Sequence, residues 1–229
     1  MSKKQNILVF GIFTILVTMG VTSNIMQQKA VDRSKLPTKI EQSKGFQRWI
    51  TNLKNKDLKT EADEFRLQEE VELYNSKWTN VTSIEQPGEQ EKFNAVIAAH
   101  QNIKKQVVFS PSKREFLDLR NIDRDGYKSN EVRFYGQKED KVIDTKILDC
   151  SLLANCYFDR GYFLNNDVFV VSEFSRNIDK KDQNPPVCPI DKECEYTIKI
   201  HVIDLINNSR LVYVSKPFNA VLETLIPQL

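Results

Sequence analysis

The sequence lacks an excess of charge of either sign. Its 33 lysine and arginine residues nearly balance 31 aspartate and glutamate residues, which leaves a formal net charge of +2. A chain with this balance has no overall positive field to attract nucleic acid or an acidic substrate. We therefore expect no nucleic-acid partner.

Histidine is scarce, and no catalytic motif is complete. His100 and His201 are the only two histidines, and no motif surrounds either of them. Each is expected to be a surface residue, as a lone histidine on the polar side of a strand usually is. The segment from Ser110 to Lys113 fits the S-x-x-K pattern of serine acyltransferases, but neither K-T-G nor S-D-N follows it. We interpret this segment as a turn between strands, so enzyme activity is uncertain and a non-enzymatic function is favoured.

Long apolar runs are also absent, apart from one near the N-terminus. The segment from Ile7 to Met26 carries no charged residue. As a helix at about 1.5 Å per residue it would span roughly 30 Å, the hydrocarbon thickness of a bilayer. We predict that residues 1–28 form a transmembrane anchor or a signal segment. The apolar residues that define it are Ile7, Phe10, Phe13, Leu16, Val21 and Met26.

Anchoring and cleavage remain alternatives for this segment. Small residues from Val21 to Ser23 would suit a signal peptidase, and cleavage would leave a secreted or periplasmic protein. Five basic residues lie between positions 29 and 44 against two lysines before the segment, which by charge alone favours a C-terminal side that stays inside. The four cysteines favour an oxidising space. We predict a single-pass membrane protein with an extracytoplasmic C-terminal domain.

Two amphipathic helices are predicted within residues 29–80, as a helical spacer. The first, from about Thr38 to Lys54, repeats apolar residues at i, i+3, i+4 and i+7. The second begins at Thr60, which forms a capping box with Asp63. An apolar stripe along one face of a helix usually packs in a core. The alternative is that these helices dock against a partner near the membrane. The first stripe is Phe46, Trp49, Ile50 and Leu53, and the second is Leu67, Val71, Tyr74 and Trp78.

A loop containing Pro87 and Gly88 makes residues 81–92 the predicted linker. Residues 93–229 are predicted to form a β-rich extracytoplasmic domain, because from about Gln106 the apolar period changes to two. The fold class is α+β, mainly β, with a seven- to eight-stranded antiparallel domain that is sandwich-like or barrel-like. The predicted strands are Gln106 to Ser110, Glu115 to Arg120, Glu131 to Gly136, Val142 to Leu148, Tyr157 to Leu164, Val168 to Phe174, Tyr196 to Leu205 and Leu211 to Ser215.

The connections between these strands are short, which predicts antiparallel hairpins. The segment from Asp167 to Val171 is apolar on both faces and should be a central strand covered on both sides. The segment from Tyr196 to Val202 alternates apolar and polar residues, which is typical of a half-exposed strand.

The four cysteines form two pairs with equal spacing. Cys150 and Cys156 are six positions apart, as are Cys188 and Cys194. We predict a disulfide within each pair, because each intervening segment can fold back on itself, and each should stabilise the domain by about 2 kcal/mol. Unpaired thiols and a four-thiolate zinc site are the alternatives, although this spacing departs from the usual zinc knuckle.

Residues Asn121, Asp123 and Asp125 place three oxygen side chains at alternate positions before Gly126, as in the first half of a calcium loop. The twelfth position is Val132, where a calcium loop needs a bidentate carboxylate. An Asp-Gly turn between two strands is the main interpretation, and a calcium site is the alternative. No other cofactor is expected.

The sequence therefore predicts an exported or membrane-anchored protein whose β domain is a binding or interaction module in the cell envelope. Its expected partners are the membrane, through the N-terminal helix, and an envelope protein. One alternative is an exported hydrolase with an unmarked Asp, Glu or His site. The other is a calcium-stabilised structural domain.

Overall fold

The structure is a computed structural model that describes residues 32–73, 79–103, 106–124, 127–128, 130–179 and 187–226. The predicted membrane segment, from Ile7 to Met26, lies outside these residues. Within the described ranges, no helix is both long enough and apolar enough to cross a membrane. Residues Leu36–Leu229 form one compact unit.

Four short α-helices and thirteen strands make up the described part of this unit. The helices are α1 (Thr38–Glu41), α2 (Lys44–Lys54), α3 (Glu89–Gln101) and α4 (Leu222–Leu225), with a 3-10 helix at Ala62–Glu64. The strands are β1 (Arg66–Glu72), β2 (Thr79–Ser83), β3 (Val107–Phe109), β4 (Glu115–Asp118), β5 (Asp123–Arg124), β6 (Tyr127–Lys128), β7 (Glu131–Lys138), β8 (Lys141–Asp149), β9 (Leu153–Phe163), β10 (Val168–Asp179), β11 (Glu193–Asp204), β12 (Ser209–Val214) and β13 (Phe218–Val221).

The strands form two antiparallel sheets, which confirms the mainly β fold. Sheet A has the order β1-β12-β11-β10-β9, with β13 paired to β11. Sheet B has the order β2-β8-β7-β4-β3, and β5 and β6 form a separate hairpin. All eight strands predicted from the apolar period are present.

Apolar side chains from both sheets meet in an inter-sheet core. Phe134 of β7 packs there with Phe169 of β10, their ring centroids 6.0 Å apart. The opposite face of sheet A is covered by α2, and the opposite face of sheet B by α3. Strand β10 is therefore covered on both sides, as predicted: Val170 packs toward α2, whereas Phe169 and Val171 pack in the inter-sheet core.

The first predicted helix is confirmed over Lys44–Lys54. A short break separates it from α1, because Ser43 caps α2 by accepting a hydrogen bond from the Phe46 amide at 3.3 Å. Its four predicted apolar residues are all buried: Phe46, Trp49, Ile50 and Leu53.

The second predicted helix is wrong over the described residues 66–72. These residues form β1, which pairs with β12 so that Leu67 lies opposite Tyr213 and Val71 opposite Arg210. The capping signal at Thr60 leads only into the 3-10 helix. The spacing of Leu67 and Val71 fits either structure locally, and pairing with β12 decides between them. Tyr74 and Trp78 lie outside the described residues.

Candidate functional site

Strand β2 lies at the edge of sheet B. Among the described residues its only strand partner is β8. The Ile84 amide donates to the Asp140 carbonyl at 2.8 Å, just beyond the last pair of this ladder. Hydrogen-bonded and non-hydrogen-bonded pairs alternate in an antiparallel ladder. Val81, three residues before Ile84 and opposite Ile143, is therefore in a non-hydrogen-bonded pair, and its N–H and C=O point away from β8 to the open edge.

Of the four edge strands β1, β9, β2 and β3, strands β1 and β2 differ in charge. At the edge of sheet A, β1 carries Glu69, Glu70 and Glu72, and charged side chains on an edge oppose pairing with another chain. Strand β2 consists of Thr79-Asn80-Val81-Thr82-Ser83 and has no charged residue. The side chain of Val81 is 54% exposed. Edge β2 therefore has neither charge nor proline to prevent the addition of a further strand.

A groove of about 320 Å³ runs beside β2 on the face of sheet B that α3 covers. Asn80 lies opposite Asp144 and Thr82 opposite Val142, so these side chains share that face. Strand β2, strands β7 and β8, and the first turn of α3 thus build the groove. Its lining residues are Asn80, Val81, Thr82, Glu89, Lys92, Tyr135, Val142 and Asp144.

Two carboxylates of the groove, those of Asp144 and Glu89, act on Tyr135. Burial raises the pKa of this phenol, and the charges of Asp144 and Glu89 raise its pKa further. Asp144 is paired with Arg133 at 2.7 Å, and Glu89 with the exposed Lys92 at 3.2 Å. Two carboxylates and a phenolic oxygen in one groove suit a cationic side chain, because all of them accept hydrogen bonds from an ammonium or guanidinium group.

Sequence reasoning missed this edge, because it assigned residues 81–92 to a linker and residues 29–80 to a helical spacer. The β-branched residues Thr79, Val81 and Thr82 were the available signal. A five-residue strand is too short for its alternation to be distinctive, and its pairing with β8 depends on residues about 60 positions away.

The four cysteines form the pairs that their spacing predicts. Cys150 is bonded to Cys156 and Cys188 to Cys194, with Cα–Cα distances of 5.5 and 6.5 Å. The first disulfide lies in the inter-sheet core and the second ties the segment before β11 to that strand. Two disulfides are consistent with an oxidising, extracytoplasmic location.

The structure describes only part of the backbone of the predicted calcium loop. Asn121 is exposed, and Asp123 begins β5, which pairs with β6 as expected on either side of an Asp-Gly turn. Asp125 and the side chain of Asp123 lie outside what the structure describes. The calcium site therefore stays a prediction.

The structure does not pair Ser110 with Lys113. The Ser110 hydroxyl is buried and donates to Glu115, whereas Lys113 is exposed in a turn with a φ of 59°. This arrangement confirms the turn interpretation. No serine nucleophile with a lysine base is present in this segment.

The expectation that both histidines lie on the surface is wrong for His201, which is 5% exposed. It faces the inter-sheet core, where its Nε2 lies 2.8 Å from Oε2 of Glu173. His100 is half-buried, with Nδ1 2.8 Å from the Val96 carbonyl oxygen and its ring stacked on Phe116. The alternation around His201 indicates which face it shares, but only the packing of sheet B over that face buries it.

Comparisons of this chain with protein-family models, with curated proteins and with solved structures found no match. Because a fold does not determine a function, the inference below depends on the chemistry of the β2 edge and its groove.

Proposed function

We propose that this protein is a non-enzymatic binding module in the cell envelope that takes an extended segment of a partner protein as a new strand beside β2. Its N-terminal segment would hold it at a membrane, or would be removed on secretion. The observation that carries the proposal is the uncharged open edge of β2, with the N–H and C=O of Val81 directed outward. Strand addition of this kind is a recurrent mode of peptide recognition.

The groove specifies the chemistry of the partner segment. Successive side chains of an added strand point to opposite faces of the sheet. One set would lie over the groove, where Asp144 and Glu89 favour lysine or arginine. The other set would lie on the face of Val81, where an apolar side chain would cover exposed surface. The expected partner segment therefore alternates basic and apolar residues.

The expected affinity is modest. Each main-chain hydrogen bond contributes about 0.5–1.5 kcal/mol net, and an apolar side chain that becomes buried adds about 1.5–3 kcal/mol. Ordering the peptide offsets part of this gain. We expect dissociation constants of roughly micromolar size, which correspond to about 8 kcal/mol.

The test uses a displayed library of random ten-residue peptides, followed by fluorescence polarisation with the selected sequences. Val81→Pro removes the N–H that faces the edge and leaves the hydrogen bonds to β8 intact. We expect it to weaken binding at least tenfold. Val81→Thr keeps the N–H and the strand propensity, and serves as the matched control that should bind within about threefold of the parent.

The groove contribution is tested with Glu89→Gln and Asp144→Asn. Both should reduce the preference for lysine and arginine over glutamine in the selected peptides. The proposal is wrong if no peptide is enriched, or if Val81→Pro binds as well as the parent. It is also wrong if the purified chain instead forms dimers that Val81→Pro abolishes, because the occupant of the edge would then be a second copy.

The hydrolase alternative has less support, because His201 lines neither the groove beside β2 nor the groove of about 310 Å³ beside α2. The calcium alternative predicts a melting temperature that falls when a chelator is added to the purified protein.

A further inference from the structure

A polar cluster is buried in the inter-sheet core beside the first disulfide. Glu173 of β10 and His201 of β11 are 4% and 5% exposed. One carboxylate oxygen of Glu173 and the sulfurs of Cys150 and Cys156 all lie within 4.8 Å of one another. Two sulfurs and a carboxylate oxygen are thus gathered at one point between the sheets.

The hydrogen bonding of this cluster is incomplete. Oε2 of Glu173 accepts a hydrogen bond from Nε2 of His201 at 2.8 Å. Nζ of Lys199 lies 3.3 Å from Oε1, an ion pair without a well-aligned hydrogen bond. Nδ1 of His201 is buried with no partner among the described residues. Buried polar atoms are normally satisfied, so each exception needs a physical explanation, and a bound ion is one of them.

The carboxylate of Glu173 is oriented by its contacts with His201 and Lys199. The hydrogen bond from His201 to one oxygen fixes the orientation of the whole carboxylate, and therefore of its other oxygen. Carboxylates that ligate metals are commonly oriented by hydrogen bonds in this way.

We propose that reduction of the Cys150–Cys156 disulfide converts this cluster into a binding site for one Zn²⁺. The ligands are the two thiolates and one carboxylate oxygen of Glu173, and an exchangeable water completes the tetrahedron. His201 is a positioning residue that holds the carboxylate through Oε2. Tetrahedral zinc with thiolate and carboxylate ligands places its ligand atoms about 3.5–3.8 Å apart, so the atoms gathered here need only small side-chain movements.

The redox step is balanced by an external dithiol. The dithiol supplies two electrons and two protons, the Cys150–Cys156 bond breaks to give two thiols, and the dithiol becomes a cyclic disulfide. Zinc binding then releases the two thiol protons. Reoxidation by an external disulfide, which accepts two electrons and takes up two protons to become a dithiol, re-forms the Cys150–Cys156 bond, removes both thiolate ligands and releases the Zn²⁺. The site therefore exists only before the disulfide forms, when bound zinc would also keep these thiols from pairing with Cys188 or Cys194.

The test uses Co²⁺ as a spectroscopic probe and Zn²⁺ as its competitor. The parent for this test is the Cys188→Ser and Cys194→Ser double variant, whose only cysteines are the two ligands. After reduction we expect one Co²⁺ per chain, with thiolate charge-transfer and tetrahedral d–d absorption that Zn²⁺ removes. The oxidised form should bind at least 100-fold more weakly. Zn²⁺ should also slow alkylation of the two thiols at least tenfold.

Glu173→Gln tests whether the carboxylate of Glu173 is a metal ligand or whether the two thiolates bind the metal without it. We expect it to weaken Co²⁺ binding at least tenfold, whereas the matched control Glu115→Gln, at another buried carboxylate, should leave binding unchanged. Circular dichroism reports whether each reduced variant is folded. The proposal is overturned if the folded, reduced parent binds no Co²⁺, if Glu173→Gln binds equally well, or if reduction unfolds the domain.

Discussion

Trp49→Phe tests whether helix α2 is an integral part of the β domain. Nε1 of Trp49 donates to Oδ2 of Asp159, on β9, at 2.8 Å, and both side chains are buried. Phenylalanine keeps most of the ring packing but leaves the carboxylate without this donor. A hydrogen bond to a charged group contributes about 1.5–3 kcal/mol, so the free energy of unfolding should fall by about 2 kcal/mol. For a domain of this size, the melting temperature should fall by about 4–8 °C.

Asp159→Asn completes a double-mutant cycle with this change. Burial raises the pKa of Asp159, although the Trp49 hydrogen bond and the charges of Arg160 and Lys56 oppose this. A raised carboxyl pKa gives a contribution to stability that is fully present below the unfolded value of about 3.9 and is lost as the pH rises through the folded pKa. Asparagine keeps an acceptor and removes the charge, so it should not destabilise the protein at pH 7.

The free energy of unfolding is measured for the parent, the two single variants and the double variant by urea unfolding. Far-UV circular dichroism follows the unfolding, because Trp49→Phe itself changes the tryptophan fluorescence. In the Asp159→Asn background, Trp49→Phe should cost only about 1 kcal/mol, the value for a neutral hydrogen bond. The coupling between the two positions should therefore be about 1 kcal/mol. A cost of Trp49→Phe below about 0.5 kcal/mol, or no coupling, would refute the integral packing of α2 on sheet A.

Gly45→Ala should destabilise the domain by about 1–3 kcal/mol in urea unfolding, although alanine is normally the better helix residue, because its Cβ would overlap Cδ2 of Tyr162. The same change in a Tyr162→Ala background should be neutral or stabilising, and a cost that persists there would contradict the steric explanation. The Cys188→Ser and Cys194→Ser double variant should lose about 2 kcal/mol under non-reducing conditions, and equal stability would show that the closed loop contributes nothing. The pKa of Glu173 is lowered in the folded state, so its contribution is present above the unfolded value of about 4.3 and is lost as the pH falls through the folded pKa. Glu173→Gln should therefore show a smaller loss of stability between pH 5 and pH 3, and an unchanged acid profile would contradict this assignment.

Local pattern predicted much of the secondary structure. Helix α2 followed from four apolar residues on one face, and it covers sheet A through those residues. Strand β10 was predicted as a central strand because the segment from Asp167 to Val171 is apolar on both faces. The two disulfides followed from short, equal spacing. These features depend on residues close in sequence, so periodicity and chain geometry suffice to predict them.

The candidate site could not be predicted in the same way. Strands β1 and β2 are short, and their pairing with β12 and β8 joins distant parts of the chain. Whether an edge is open, and which groups face it, depends on the order of the strands in the sheet. The mistaken second helix arose where no local pattern distinguishes a short paired strand from its alternatives.

The sequence by itself determined the mainly β fold, the first amphipathic helix, the central strand and the pairing of the cysteines, because alternation and spacing are properties of neighbouring residues. Only the tertiary structure decided that His201 and Glu173 are buried beside a disulfide and that the uncharged strand β2 lies at an open edge. Burial depends on a second sheet lying over the first, and an edge is defined by which strands pair across the whole fold.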